Sequence, residues 1–189
     1  MRPAFHPAQR GTSMIEVLVT IVILTFGLLG LVGMQSRLQL SQMDAYQRAQ
    51  ALVLLDDMAS RMANNRETAT LPSYVTNGSV LGTGHTCSIS SGSTRQQRDV
   101  CEWSNALQGA AETSGSSRIG AMAGARGCIE PVVGTSNYRV IVAWQGMGPT
   151  VVPANDCGAG EYKNTQGSTD ERFRRTISTI VSIGTLTGN

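Results

Sequence analysis

This chain has little charge, few aromatics and only two histidines. Asp, Glu, Lys and Arg make up 15 % of its 189 residues, and Phe, Trp and Tyr 5 %. That length allows one modest domain plus an additional element, but not two full cores. The only histidines are His6, near the start, and His85, in a Gly-Thr-Gly-His-Thr-Cys loop. Neither belongs to a cluster of acids or thiols, so no catalytic, metal or cofactor site is expected. The cysteines contain no C-x-x-C: Cys87, Cys101, Cys128 and Cys157 are 14, 27 and 29 residues apart. Zinc and thioredoxin-like readings fall with that spacing. The net charge of +2 does not point to nucleic acid. Proline is absent between Pro7 and Pro72, which leaves room for one very long helix.

Glycine, by contrast, is abundant at 21 residues, as in a small, loop-rich fold. The four cysteines are an even set and all follow the long apolar run, which suits two disulfides in an oxidising compartment. Three connectivities are possible, and the two sequential pairs, Cys87 with Cys101 and Cys128 with Cys157, are favoured. Each would tether a long loop and limit the freedom of the unfolded chain, by ~2–4 kcal/mol.

Residues 1–11, MRPAFHPAQRG, carry Arg2 and Arg10 and no acid. A positive leader of this kind stays cytoplasmic. The run that follows, residues 14–34, is 21 residues long and almost wholly apolar. As a helix it would cross about 30 Å of hydrocarbon. It is too long for an ordinary secretory signal, and Met34-Gln35-Ser36-Arg37 offers no small-x-small cleavage site. The chain is therefore expected to stay anchored, with residues 35–189 outside the cytoplasm. Glu16 interrupts this run, although a carboxylate deep in a bilayer costs ~2.5–3.5 kcal/mol. Close to the membrane edge it could simply reach water. A cut between Gly11 and Thr12 would place a new cationic amine four residues before it, a helical neighbour. That amine could also meet the carboxylate of an adjacent copy.

The leader ending in Gly11, followed by TSMIEVLVTIVIL with Glu16 as the fifth residue after the glycine, resembles the class III signal of type IV pilins and pseudopilins. The resemblance implies that a prepilin peptidase cuts after Gly11 and methylates the amine of Thr12. Many family members have Phe where this chain has Thr12. It also implies that Glu16 serves assembly, pairing with a neighbouring subunit's amine.

Beyond Met34 the helix is expected to run to about Asn64, some 80 Å in all. Leu38, Ala45, Ala49, Leu52, Leu55, Ala59 and Met62 form an apolar stripe of helical period. Asp44 with Arg48 and Asp57 with Arg61 are i,i+4 pairs, worth ~0.2–0.5 kcal/mol each. Gly27, Gly30 and Gly33 recur at three-residue steps. They suit either close helix packing or local bending when the segment enters a fibre.

The segment AYQRAQALVLLDDMASRMANNR, residues 45–66, is similar to the PilV-like minor pilins. RGCIEPV, NYRVIVAWQG and CEWSNAL are similar to the same family, though less tightly. That resemblance implies an α+β type IV pilin fold: a long N-terminal helix on a small antiparallel sheet with disulfide-tethered loops. The expected layout is a leader over 1–11, a membrane or filament-core helix over 12–34, an amphipathic helix over 35–66 and a head over 67–189. Within the head, residues 138–144 and 176–183 alternate as strands, and 128–133 is a shorter candidate. A short helix is expected over 99–111, with Trp103 and Leu107 on one side. Residues 70–97 and 109–127 read as surface loops. Arg172, Arg174 and Arg175 form a basic patch, read as a solvated strand edge, with an acidic neighbour or DNA as the alternative contact.

The function implied is that of a minor pilin, not an enzyme. With other minor pilins it would prime polymerisation of the major pilin, and it can remain at the fibre tip, supporting adhesion and twitching motility. Implied partners are those pilins, the prepilin peptidase, the pilus assembly platform and the inner membrane; nucleic acid is not expected. The head would be periplasmic before assembly and on the cell-surface pilus afterwards. A type II secretion pseudopilin, or a single-span adhesin that does not polymerise, are the alternatives.

Overall fold

The computed structural model describes residues 11, 13–65, 71–109, 113–114, 117–118 and 122–182. Leader residues 1–10, Thr12, Ala110, Ala111 and Ile183, which enter the expectations above, lie outside them. The apolar run over residues 14–34, the helix-forming stretch after it and the lack of proline give one helix, α1, over Met14–Asn64. It passes unbroken through Gly27, Gly30 and Gly33, and a β-carbon at any of the three would meet nothing within 4 Å. The chain divides into two compact units, Met1–Gln42 and Met43–Asn189.

In the second unit the elements after α1 are a 3-10 turn (Leu71–Tyr74), β1 (Leu81–Gly82), α2 (Arg95–Leu107), β2 (Thr113–Ser114), β3 (Ser117–Arg118), β4 (Arg126–Pro131), β5 (Tyr138–Gln145), a 3-10 turn (Glu171–Phe173) and β6 (Arg174–Val181). β1, β4, β5 and β6 form an antiparallel sheet in the order β1-β4-β5-β6, and β2 pairs with β3 separately. The architecture is α+β, with an apolar N-terminal helix, a small antiparallel sheet and two disulfides.

One face of the sheet carries Ile129, Val140, Val142 and Trp144 into a core shared with Ala51, Leu55, Met58 and Met62 of α1 and Trp103 and Leu107 of α2. Gly127 makes this packing possible. A β-carbon there would stand 2.4 Å from the Trp103 ring, so only glycine lets α2 lie flat on β4. Trp103 also donates its indole N–H to the Leu54 carbonyl of α1 at 2.8 Å.

Several expectations need correction. The stripe of α1 buried in the head is Gln47, Ala51, Leu55, Met58 and Met62, while Ala45, Ala49 and Leu52 face outward. Both sides of this stretch are apolar, so periodicity alone left its phase open. Asp57 does pair with Arg61, at 3.0 Å. Asp44 instead accepts from the Met147 N–H at 3.3 Å, and among the described residues it forms no ion pair with Arg48. The short helix begins four residues early, at Arg95, because Thr94 and Gln97 form a capping box. β4 begins two residues early, at Arg126. The stretch 70–97 is not all surface loop, since Leu71, Tyr74 and Leu81 are buried. β5 buries both faces: Ile141 and Ala143 pack with Cys128, Cys157 and Tyr162 in a second apolar cluster.

Candidate functional site

The start of α1 is built from the backbone. The Ser13 carbonyl accepts from the N–H groups of Glu16, at 3.0 Å, and Val17, at 3.4 Å. Glu16 thus lies in the first helical turn, where unpaired N–H groups carry partial positive charge and favour an anion by ~0.3–1 kcal/mol. That is a local reason for a carboxylate at this position. Its side chain is exposed and has no hydrogen-bond or ion-pair partner among the described residues.

Every side chain over residues 13–43 is exposed, including Phe26 at 72 %. One stretch of α1 is long and apolar enough to cross a membrane. Its hydroxyls are already satisfied within the helix: Thr20 donates to the Val17 carbonyl at 2.8 Å and Thr25 to that of Val22 at 2.7 Å. Over residues 14–34, Glu16 is therefore the one polar side chain left without an internal partner among the described residues. An apolar surrounding can accept everything else in this segment but not that carboxylate.

Gly11 is exposed, and a β-carbon there would meet nothing within 4 Å. Nothing in the packing of the described residues demands glycine at position 11. Thr12 lies outside the described residues.

The structure bonds Cys87 to Cys101, with Cα atoms 5.6 Å apart, and Cys128 to Cys157, 5.8 Å apart. These are the two sequential pairs. The first ties the segment after β1 to the middle of α2. The second ties β4 to the loop before β6, beneath which Tyr162 is buried. Burial raises the Tyr162 hydroxyl to about 12, against the opposing influence of Arg126. Tyr162 donates to the Gly124 carbonyl at 3.1 Å, and the Arg126 guanidinium lies 5.2 Å from its ring centre.

Where α1 ends, Arg61 joins three acids: Asp57, Asp99 at 3.4 Å and Glu102 at 2.7 Å. Partial burial works against its charge, but the bonds to Glu102 and Asp57 more than offset it and raise its pKa. Tyr74 donates to Asp99 at 2.6 Å and accepts from Asn65 at 2.9 Å. Burial first, then the bond to Asp99, raises its hydroxyl to about 12. These contacts join α1, α2 and the 3-10 turn.

The basic patch is not a free surface. Arg174 is 2 % exposed, bound to the Glu171 carboxylate and to the carbonyls of Asn155 and Cys157. Arg175 donates to Thr150 Oγ1 and to the Gly148 carbonyl, both at 2.6 Å. Arg172 alone is exposed, and it is paired with Asp170 at 2.8 Å. These internal partners were not legible in the run of arginines, although Asp170 and Glu171 precede it directly. His85 is also used structurally: its Nδ1 lies 3.1 Å from Ser104 Oγ, which in turn accepts from the Gly82 N–H at 3.0 Å.

Comparison with known proteins returned no match to a family model, to a curated protein or to a solved structure.

Proposed function

We propose that the protein is a minor pilin of a type IV pilus system, with the type IV pilin fold, stored in the inner membrane and extracted into an assembly. One observation carries the reading: an exposed apolar stretch of α1, residues 14–34, in which Glu16, in the first turn, is the one polar side chain without an internal partner among the described residues. Such a segment is comfortable in lipid or among similar helices, and it leaves a single charge to be neutralised.

Cleavage after Gly11 by a prepilin peptidase supplies the counter-charge. The freed and methylated amine of Thr12 stays cationic. An ion pair at ~4 Å is worth roughly 4 kcal/mol at an effective dielectric of ~20. That is comparable with the ~2.5–3.5 kcal/mol cost of the buried carboxylate. A Glu16 paired with another subunit's amine is therefore stable where a lone Glu16 is not, and the difference favours assembly over storage.

The head brings specificity rather than chemistry, and the protein acts as no enzyme in this reading. With other minor pilins it primes polymerisation of the major pilin on the assembly platform, where the first lateral contacts are the hardest to make. A deletion strain that loses surface fibres and twitching motility but keeps enzyme secretion separates this role from that of a secretion pseudopilin. At the residue level, Glu16→Leu is expected to be processed and to remain in the membrane, but to co-purify poorly with neighbouring pilins after mild extraction. Undiminished recovery would defeat the ion-pair role.

A further inference from the structure

The two disulfides have different surroundings. Cys128 and Cys157 are 6 and 2 % exposed, inside the apolar cluster with Ile141, Ala143 and Tyr162. Cys87 is only half-buried. With Cys101 it forms part of the wall of an open cavity of about 410 Å³, whose other lining residues include Ser73, Ser88, Gln97 and Val100. Among the described residues no charged side chain lines this cavity. Behind the bond, Asn105 Nδ2 donates to Cys101 Sγ at 3.9 Å.

We propose that Cys87–Cys101 is a thiol–disulfide exchange site that takes the thiolate of a protein dithiol. Cys101 is 4 % exposed in the middle of α2, so only Cys87 can be approached from the side opposite its bonded sulfur. The incoming thiolate bonds to Cys87 Sγ as the Cys87–Cys101 bond breaks, and the electron pair leaves on Cys101 Sγ. The Asn105 amide is placed to stabilise that new thiolate, and a hydrogen bond to a charged acceptor is the stronger kind. The partner's second thiol then attacks the partner's own sulfur in the mixed disulfide and expels Cys87 as a thiolate. Solvent protonates both cysteines; the partner is oxidised by two electrons and the head reduced by two. The reverse sequence closes the bond.

The consequence is local. Gly82 and His85 stay anchored to α2 through Ser104, and the Gln108 amide donates to the His85 carbonyl at 2.9 Å. Opening the bond therefore releases the segment 86–89, since the turn from Ser90 to Ser93 stays bonded to the Arg98 guanidinium of α2, while the apolar cluster around Cys128–Cys157 stays closed. This inference goes beyond the assembly reading and depends on neither cleavage nor filament formation.

The test uses the full chain in detergent, mixed with a thioredoxin-fold probe whose second active-site cysteine is replaced by serine. Peptide mapping should find a mixed disulfide at Cys87, with Cys128–Cys157 intact. Under graded dithiothreitol, differential alkylation should show Cys87–Cys101 opening at least about tenfold faster than Cys128–Cys157, since access governs the rate. Asn105→Ala should slow the first opening and leave the second unchanged. Adducts at Cys101, Cys128 or Cys157, no adduct at all, or both bonds opening together as the protein unfolds would each overturn the proposal.

Discussion

Replacing Glu171 by Gln should damage the head more than replacing Arg174 by Met, although both changes break the same ion pair. The Arg174 side chain is 2 % exposed and that of Glu171 28 %. Glu171→Gln keeps the shape and leaves a buried guanidinium facing neutral dipoles, the carbonyls of Pro153, Asn155 and Cys157 and the Asn155 side-chain oxygen among them. Leaving a buried charge unpaired costs ~3–5 kcal/mol, and the partial hydration of this pair places the loss near ~3 kcal/mol. Arg174→Met removes the charge itself. Glu171 then keeps the Gly160 N–H at 2.7 Å and gains water, so the cost is that of carbonyls losing a donor, ~1–2 kcal/mol. The pH dependence is distinctive. Burial favours the neutral carboxyl of Glu171, but the Gly160 N–H and Arg174 outweigh it and hold its pKa below the usual range. A depressed carboxylate stabilises the fold above its ordinary pKa and loses that contribution as the pH falls through the lowered value. The wild type and Glu171→Gln should therefore differ fully at pH 7; the gap should begin to narrow as the pH drops below the ordinary Glu value of about 4.3 and close only below the lowered one. Trp103 and Trp144, 0 and 5 % exposed, report unfolding by fluorescence in urea with the detergent-solubilised chain. An Arg174→Met variant as unstable as Glu171→Gln, or a gap between wild type and Glu171→Gln that does not change with pH, would refute the reasoning.

Gln47 is 4 % exposed on the core stripe of α1, and its Oε1 has no partner among the described residues. Gln47→Met should raise the urea midpoint, by a gain of ~1 kcal/mol, because an unmet buried carbonyl is costly and Met is as good a helix former. Gly127→Ala should do the reverse, losing ~1–3 kcal/mol and altering Trp103 fluorescence as the ring is pushed off β4.

How far the sequence could be read depended on how many patterns a stretch supports. α1 was legible because an apolar run without proline has one solution, and Asn64 ended it as expected. Strands β5 and β6 were legible from alternation. What alternation hid was that Ile141 and Ala143 face a second apolar layer, made by a loop that Cys128 holds through Cys157, 29 residues further on. The phase of the stripe over residues 43–62 was hidden for the opposite reason, an excess of apolar residues. Met43, Tyr46 and Val53 remain 48, 50 and 64 % exposed there, while a glutamine goes inward. The early start of α2 was available in Thr94-x-x-Gln97. Leu71 and Tyr74 were missed because single apolar residues among Ser, Thr and Gly carry no period. That Glu16 is the one charged side chain over residues 14–34 could be read from the sequence directly.

The mass and N-terminal sequence of the protein extracted from its native membrane test the central claim most directly. The account predicts a mature chain that begins at methylated Thr12, with Glu16 as its fifth residue. A working protein that still begins at Met1 would contradict it.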